Sequence, residues 1–465
     1  MHQRTPGIKL VFAILIAAAL SVPLLVVYGL VSDREAQSRI AQSAIVAGWG
    51  GPQTVSGPVI AIPYREQNEQ ISIVDGKSVT RTATVRSELF LSPASQTMRA
   101  ELEPDTKKKS IYETVIYTAD LSGRANFVLP EDFEQFGVQR DQLILDEAEL
   151  RFGISDPRGL QSAANVTSGG SKMALLPGKG VAASNGSGFF GQLDWDGERA
   201  LDIVWSYDLQ GSRSLGLVPR GGQTKIDIAS PWAHPNFGGS FLPPDPAISD
   251  SGFEASYDIS NLALGQALVM THDPGPPMFS GSDVMVEEAM IEGAARPGIS
   301  MVASVGLTDP VDLYSRIDRS VKYGFLFIGF TFLTYLMFDI VAGARVAAAE
   351  YLLTGTGLVL FFVMLLAFAE VIGFALAYLV ASAAIIGLLT AYSAAVLGSW
   401  LRARVIGGML AGLYALLYVL LSLEAWSLMI GSLLLFAALA AVMYATRRID
   451  WSDIGQSPEG YAEAV

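Results

Sequence analysis

Cysteine is absent from all 465 residues, and histidine occurs three times. No disulfide, thiolate nucleophile or cysteine-held metal is therefore open to this chain. Basic clusters are scarce too: Lys107–Lys109 is the longest run, against a formal net charge of −14. Nucleic acid selects basic faces, so it is excluded as a partner. No G-x-S-x-G turn presents a serine nucleophile. Proline is missing from Val311 to Ser457, so proline-broken transport helices are not signalled there.

What is abundant is hydrocarbon. The chain is 51% hydrophobic with a mean hydropathy of +0.39, too apolar for an ordinary soluble protein. The apolar residues are unevenly spread. One run covers Leu10 to Val31, a long polar stretch follows, and Tyr323 to Thr446 is nearly continuous hydrocarbon. The first run, about 22 residues, exceeds the roughly 7–15 of a signal peptide's apolar region, and no small-residue cleavage pattern follows it. It reads as an uncleaved membrane span, with Pro23 giving at most a kink. Short polar breaks divide the last part into five further spans, near 323–343, 352–370, 374–397, 405–423 and 427–446.

Six spans put both termini on one side, and charge says which. Arg4, Lys9, Arg345, Arg402, Arg404, Arg447 and Arg448 flank one set of span ends, whereas the short loops at the other ends carry Glu370 and Glu424. Lysine and arginine stay in the cytoplasm, so both termini are expected there and residues 32–320 outside. Arg316, Arg319 and Lys322 run against this pattern, but long domains translocate largely regardless of such charges. The expected division is 1–31 for the N-terminus and first span, 32–320 for the outer domain, 321–446 for five spans, and 447–465 for a cytoplasmic tail.

Residues 32–320 show strand alternation. In LDIVWSYDL, Leu201, Ile203, Trp205, Tyr207 and Leu209 share one face. ISIVDGKSVTRTATVRSELFL predicts two strands around an Asp75-Gly76 turn. GPVIAIPY, LILDEAELRFGI, TKIDIAS, FEASYDI and DVMVEEAMI are further strand candidates, with the longest glycine- and serine-rich loop across 157–190. A β-rich, sandwich-like domain follows, so the fold class is an α+β membrane protein: one N-terminal transmembrane helix, an outer β-domain and a C-terminal five-helix bundle. Helical stalks are expected at both ends of the outer domain. In the second, Asp309 suits an N-cap and Pro310 the first helical position. Asp318 and Lys322 are spaced to pair along it, with Arg319 between them, and Lys322 with Tyr323 suits a membrane-interface anchor.

SGPVIAIPY, SIYETVIYTADLSGRANF, ISDPRGL, SPWAHPNFGGSFLPP, DLYSRIDRSVKYGFLFIGFTFLTYLMFD and TRRIDW occur in an order that resembles the CreD family of bacterial inner-membrane proteins. The resemblance covers nearly the whole chain. It implies a Gram-negative inner membrane, a periplasmic location for the outer domain and a role in cell-envelope integrity under stress. It implies no reaction, cofactor or catalytic residue.

The stretch SPWAHPNFGGSFLPP, Ser230–Pro244, is the densest motif outside the spans. His234 and His272 with Asp245, Asp250 or Asp273 could be imagined as a metal set, but no short ligand spacing joins them. No metal or cofactor is expected. The prolines hold extended backbone, the paired glycines open unusual conformations, and the aromatics supply anchors. The stretch reads as a rigid loop, with Trp232, His234, Phe237 and Phe241 as the candidate contacts to an unidentified envelope component, whether protein, glycan or lipid. Membrane lipids are the other expected partner. The chain is read as non-catalytic. The rival is a transporter or lipid-handling protein working through the bundle; its candidate residues are the acidic Asp339 and Glu370.

Overall fold

The computed structural model describes residues 6–74, 77–131, 133–162, 164–278, 298–307, 313–341, 347–422 and scattered positions between 429 and 447. Two compact units result, one of Met1–Ile40 with Val311–Val465 and the other of Ala41–Pro310.

The strands of the second unit begin with two long hairpins, β1 (Gln53–Val74) with β2 (Lys77–Leu91) and β3 (Ser95–Lys109) with β4 (Tyr112–Phe127). Then come β5 (Glu149–Ile154), β6 (Asn165–Ser168), β7 (Ser171–Lys172), β8 (Leu176–Pro177) and β9 (Gly188–Gln192). The series continues with β10 (Leu201–Ser212), β11 (Ser214–Val218), β12 (Gln223–Ser230), β13 (Asn236–Gly239) and β14 (Ala247–Ser249). It closes with β15 (Gly252–Ser260), β16 (Val269–Met270) and β17 (Ala303–Gly306).

They form a nine-stranded sheet, β13-β17-β11-β1-β5-β9-β8 with β2 on β1 and β16 on β2, and an eight-stranded sheet, β14-β15-β12-β3-β4-β10-β6-β7. Alternation on β10 does what the sequence predicts. Leu201, Ile203, Trp205, Tyr207 and Leu209 are buried while Asp202, Val204 and Ser206 are exposed. The buried side chains meet the other sheet: Phe152 on β5 stands edge-on to Trp205 at 5.8 Å between centroids, and Phe189 on β9 to Tyr207 at 5.7 Å. Two antiparallel-rich sheets sharing one aromatic core make the expected sandwich.

Several details depart from the strand-by-strand reading. GPVIAIPY and ISIV are one strand, β1, because β2 continues to pair with it from Ile60↔Leu91 to Val74↔Lys77. Gly57 and Pro58 fall where the register with β5 shifts between Ser56 and Val59, so Pro58 is accommodated at a bulge. In LILDEAELRFGI only Glu149–Ile154 is strand, preceded by a 3-10 turn at Leu145–Glu147. The 157–190 loop carries the short strands β6, β7 and β8. Asp75, Gly76 and the DVMVEEAMI segment lie outside the described residues.

The chain changes sheets between β10 and β11 at Arg213, which has φ +61°. Tyr117 fills this corner. Its hydroxyl donates to the Ser214 carbonyl at 2.8 Å, and a Cβ on Gly211 would stand 2.3 Å from the Tyr117 hydroxyl oxygen.

The apolar unit contains most of α1 (Pro6–Trp49), whose 44 residues correspond to about 66 Å at 1.5 Å per residue. The first span and the first stalk are thus one unbroken helix, with Pro23 inside it. Then come α2 (Leu313–Lys322), α3 (Gly324–Val341), α4 (Ala348–Ile372), α5 (Phe374–Val396) and α6 (Trp400–Ser422). Four described helical segments, Ile14–Trp49, Ala348–Ile372, Phe374–Val396 and Trp400–Leu421, are long and apolar enough to cross a bilayer. The expected span 427–446 falls mostly outside the described residues, as do Asp309 and Pro310.

Small residues set the helix spacing. A Cβ on Gly355 of α4 would lie 2.0 Å from Leu20 Cδ1 on α1, and one on Gly357 would lie 3.0 Å from Leu389 Cδ2 on α5. Inside the bundle three buried hydroxyls connect three helices. Tyr335 Oη and Ser393 Oγ are 2.5 Å apart, and Thr354 Oγ1 donates to Tyr335 Oη at 3.4 Å. The second stalk is α2. Its Asp318 pairs with Lys322 at 2.6 Å, as the spacing predicts. Arg319 Nε donates to the Ser315 carbonyl, and Tyr323 follows directly as the turn into α3.

Candidate functional site

Ser230–Pro244 leaves the eight-stranded sheet at the end of β12 and forms β13 at the edge of the nine-stranded one. The chain then returns through β14 to the edge of the first. The segment therefore crosses the open side of the sandwich. Its rigidity has specific causes. Trp232 Nε1 donates to the His234 carbonyl at 3.0 Å, and Trp232 N donates to Ser230 Oγ at 3.3 Å. Phe237 stands edge-on to Phe253 of β15 at 5.4 Å. Phe241 bridges to Ala303, and Ser240 N donates to the Val302 carbonyl at 2.7 Å. Gly239 has φ +88°, and a Cβ there would come within 2.3 Å of the Val302 oxygen. Only glycine fits that position.

Of the four candidate contact residues, Trp232, Phe237 and Phe241 are half-buried and pack against the core, whereas His234 is exposed. With the aromatics turned inward, the apolar surface left outside belongs to Leu242, 66% exposed, and Ile248, 53% exposed. Pro231, Pro235, Pro243, Pro244 and Pro246 flank the two edge strands. Proline cannot extend a ladder, so these edges are poorly suited to recruiting another strand.

The imagined metal set does not assemble. Asp245, Asp250, His234 and His272 are exposed, and Asp273 turns inward instead. Among the described residues no group of three or more His, Cys, Asp or Glu could hold a metal. Asp273 pairs with Arg220 at 2.8 Å, and its other oxygen accepts from the Ala182 N–H. Arg220 Nε donates to Ser56 Oγ at 3.1 Å, and Arg220 N to Gln96 Oε1 at 3.2 Å. This node ties β1 of one sheet to β3 of the other. The sequence offers no signal for it, because nothing in the spacing links Ser56, Gln96, Arg220 and Asp273.

In the apolar unit Glu370 near the end of α4 accepts from Tyr314 Oη at 3.1 Å and lies 3.9 Å from Arg34 of α1. Its side chain is 9% exposed. Nothing in the sequence marks Tyr314 or Arg34 as its partners. A polar residue at a span end carries no mark of which helices will meet it. The side chain of Asp339 lies outside those described.

These features belong to a recognisable whole. The family model described as "Inner membrane protein CreD" matches residues 5–452. The chain belongs to the CreD family. A relative bearing the same description, from Escherichia coli (strain K12), is 28% identical over 443 residues, covering 93% of this chain and 90% of that protein. Membership in CreD agrees with the α+β membrane architecture, with an apolar helix at the N-terminus, a β-rich middle and apolar helices at the C-terminus. The CreD match covers both the sandwich and the helical bundle.

Proposed function

We propose that this chain is a non-catalytic inner-membrane protein supporting cell-envelope integrity through a periplasmic β-sandwich that engages an envelope component. Both termini lie in the cytoplasm and residues 32–320 in the periplasm, in keeping with the flanking charges. The observation that carries the recognition reading is the built segment Pro231–Ser249. Its aromatics are spent on anchoring, the His234 carbonyl serves as one of their acceptors, and Leu242 and Ile248 are left exposed on a rigid backbone. A preordered apolar surface binds without first losing conformational entropy.

In-cell photo-crosslinking tests this. A photoreactive residue at Leu242 is expected to give a discrete adduct, and one at Val204, 45% exposed on β10, is not. Equal labelling at both positions, or none at Leu242 in a folded, abundant protein, would sink the reading.

The transport reading draws on one observation, the nearly buried Glu370 with Tyr314 and Arg34. Under the recognition reading Asp339→Asn and Glu370→Gln leave envelope function intact. Loss of function with unchanged protein level would favour the bundle.

A further inference from the structure

β3 and β4 outrun their sheet. β12 follows β3 only as far as Glu101, and β10 follows β4 only from Ile116 onward. Beyond those points, among the described residues, the two strands continue as a ribbon to the Lys109↔Tyr112 pair, with Ser110 and Ile111 at the turn. A two-stranded ribbon is marginal in water by itself. The last turns of α1 support this one. Gln42 Nε2 donates to the Glu113 carbonyl at 3.1 Å, and Trp49 Nε1 donates to the Tyr117 carbonyl at 3.4 Å. Lys107 Nζ lies over the Trp49 ring at 4.0 Å. Gln42 and Trp49 are about two helical turns apart, so both reach out from one face of α1.

These contacts give the ribbon a direction. Passing from Tyr117 to Glu113 along β4 accompanies passing from Trp49 back to Gln42 along α1, so the turn points toward the apolar end of that helix. α1 is unbroken, and Gln42 follows Val31, the end of the apolar run, after about 16 Å of helical rise. The ribbon takes back about 7 Å of that between Glu113 and Ile111. About 10 Å is left between the level of the turn and hydrocarbon, and the headgroup layer fills about 5–8 Å of it.

The chemistry of the turn fits what lies there. Thr106 to Glu113 holds three lysines and one glutamate, in a chain whose net charge is −14. Lys108 and Glu113 pair at 2.9 Å while both stay largely exposed. Lys109 is exposed on the last strand pair, and Ile111, 44% exposed, is the apolar residue at the tip. Amines around one protruding apolar side chain suit an anionic headgroup layer. We propose that the β3–β4 turn docks on the anionic phospholipids of the bilayer that α1 crosses. Lys108 and Lys109 meet lipid phosphates, Lys107 adds its charge behind them, and Ile111 enters the headgroup layer. An acidic protein is otherwise repelled by such a surface, so the lysines localise the contact. The inference rests on α1 being a membrane span and holds whichever face of the membrane the β-sandwich occupies.

The test uses the full-length protein in nanodiscs of phosphatidylcholine, alone or mixed with phosphatidylglycerol. A fluorophore on Ile111→Cys is read for quenching by a nitroxide attached to lipid headgroups. Val128→Cys, just past the far end of β4 and 44% exposed, is the control. Quenching at Ile111 is expected to exceed that at Val128 and to rise when phosphatidylglycerol is present. A lysine near an anionic surface is worth about fivefold in the ratio of docked to undocked molecules, so Lys108→Gln with Lys109→Gln should lower that ratio about thirtyfold. Both lysines are exposed, so the double variant should fold, and its quenching with phosphatidylglycerol should fall to the level seen with phosphatidylcholine alone. Quenching at Ile111 no stronger than at Val128 overturns the proposal. So does equal quenching in the two lipids, which is proximity without docking, or a double variant that is quenched like the parent.

Discussion

Arg220 and Asp273 form an ion pair whose side chains are 1% and 7% exposed. Removing one partner of so buried a pair leaves the other charge without compensation, at a cost of about 3–5 kcal/mol. Asp273→Asn is expected to destabilise the sandwich on that scale. The double change Arg220→Met with Asp273→Leu should recover most of the loss, because it buries no orphan charge. Denaturant unfolding followed by tryptophan fluorescence measures both, and an Asp273→Asn variant as stable as the parent would count against the node.

Glu149 gives the sandwich an acid-sensitive contribution. Burial opposes its charge, but Lys179 at 2.5 Å and Arg151 at 2.7 Å outweigh that and hold the carboxyl below its ordinary 4.5. A carboxylate with a depressed folded pKa stabilises above its unfolded value, and the gain is lost as pH falls through the folded one. Glu149→Gln should therefore be less stable than the parent at neutral pH, with the difference shrinking as pH drops below 4.5. Parallel melting curves across pH check this; a gap that stays constant or widens in acid contradicts it.

The contact of Gly355 with Leu20 predicts a size-dependent response. Gly355→Ala requires the flexible end of Leu20 to move and the Phe332 ring, 3.1 Å from the added Cβ, to give by a few tenths of an ångström, so its cost should stay toward the low end of about 1–3 kcal/mol. Gly355→Leu should push α1 off α4 and lower the thermal midpoint of the detergent-solubilised protein well beyond that. Adding Leu20→Ala should restore part of it. If the larger substitution melts like the parent, the two helices do not depend on this contact.

The absence of cysteine makes the proposed topology directly measurable, since any introduced thiol is unique. With the outer membrane permeabilised, a membrane-impermeant maleimide should modify Leu242→Cys in intact cells. It should reach Ser399→Cys, between α5 and α6, only after the inner membrane is opened. The reverse order would invert the orientation.

Much of this molecule is legible in its residues because the governing patterns are local. Alternation along β10 fixes which face of the strand is buried, and unbroken hydrocarbon fixes α4, α5 and α6 to within a few residues. The β-strands near proline are less legible. β1 runs through Pro58 and Pro63 because a bulge and a long partner strand absorb them. The aromatic stretch was recognisable as rigid, but not as an edge strand joining two sheets. That role depends on β17, far along the chain, supplying the ladder. Pairs such as Arg34 with Glu370 are set by how helices meet and leave no periodic trace.

The three hydroxyls of Tyr335, Thr354 and Ser393 have a consequence for assembly. A helix advanced by one residue turns through about 100°, which would carry its hydroxyl from the interior to face hydrocarbon. Ser393 would keep its bond to the Leu389 carbonyl of its own helix, but Tyr335 would lose its acceptor and Thr354 its own, and an unmet hydrogen bond there costs several kcal/mol. Leucine and alanine faces tolerate many rotational settings of one helix against the next; these three oxygens tolerate one. They act as an index mark that lets α3, α4 and α5 find a single rotational phase within an otherwise featureless apolar surface.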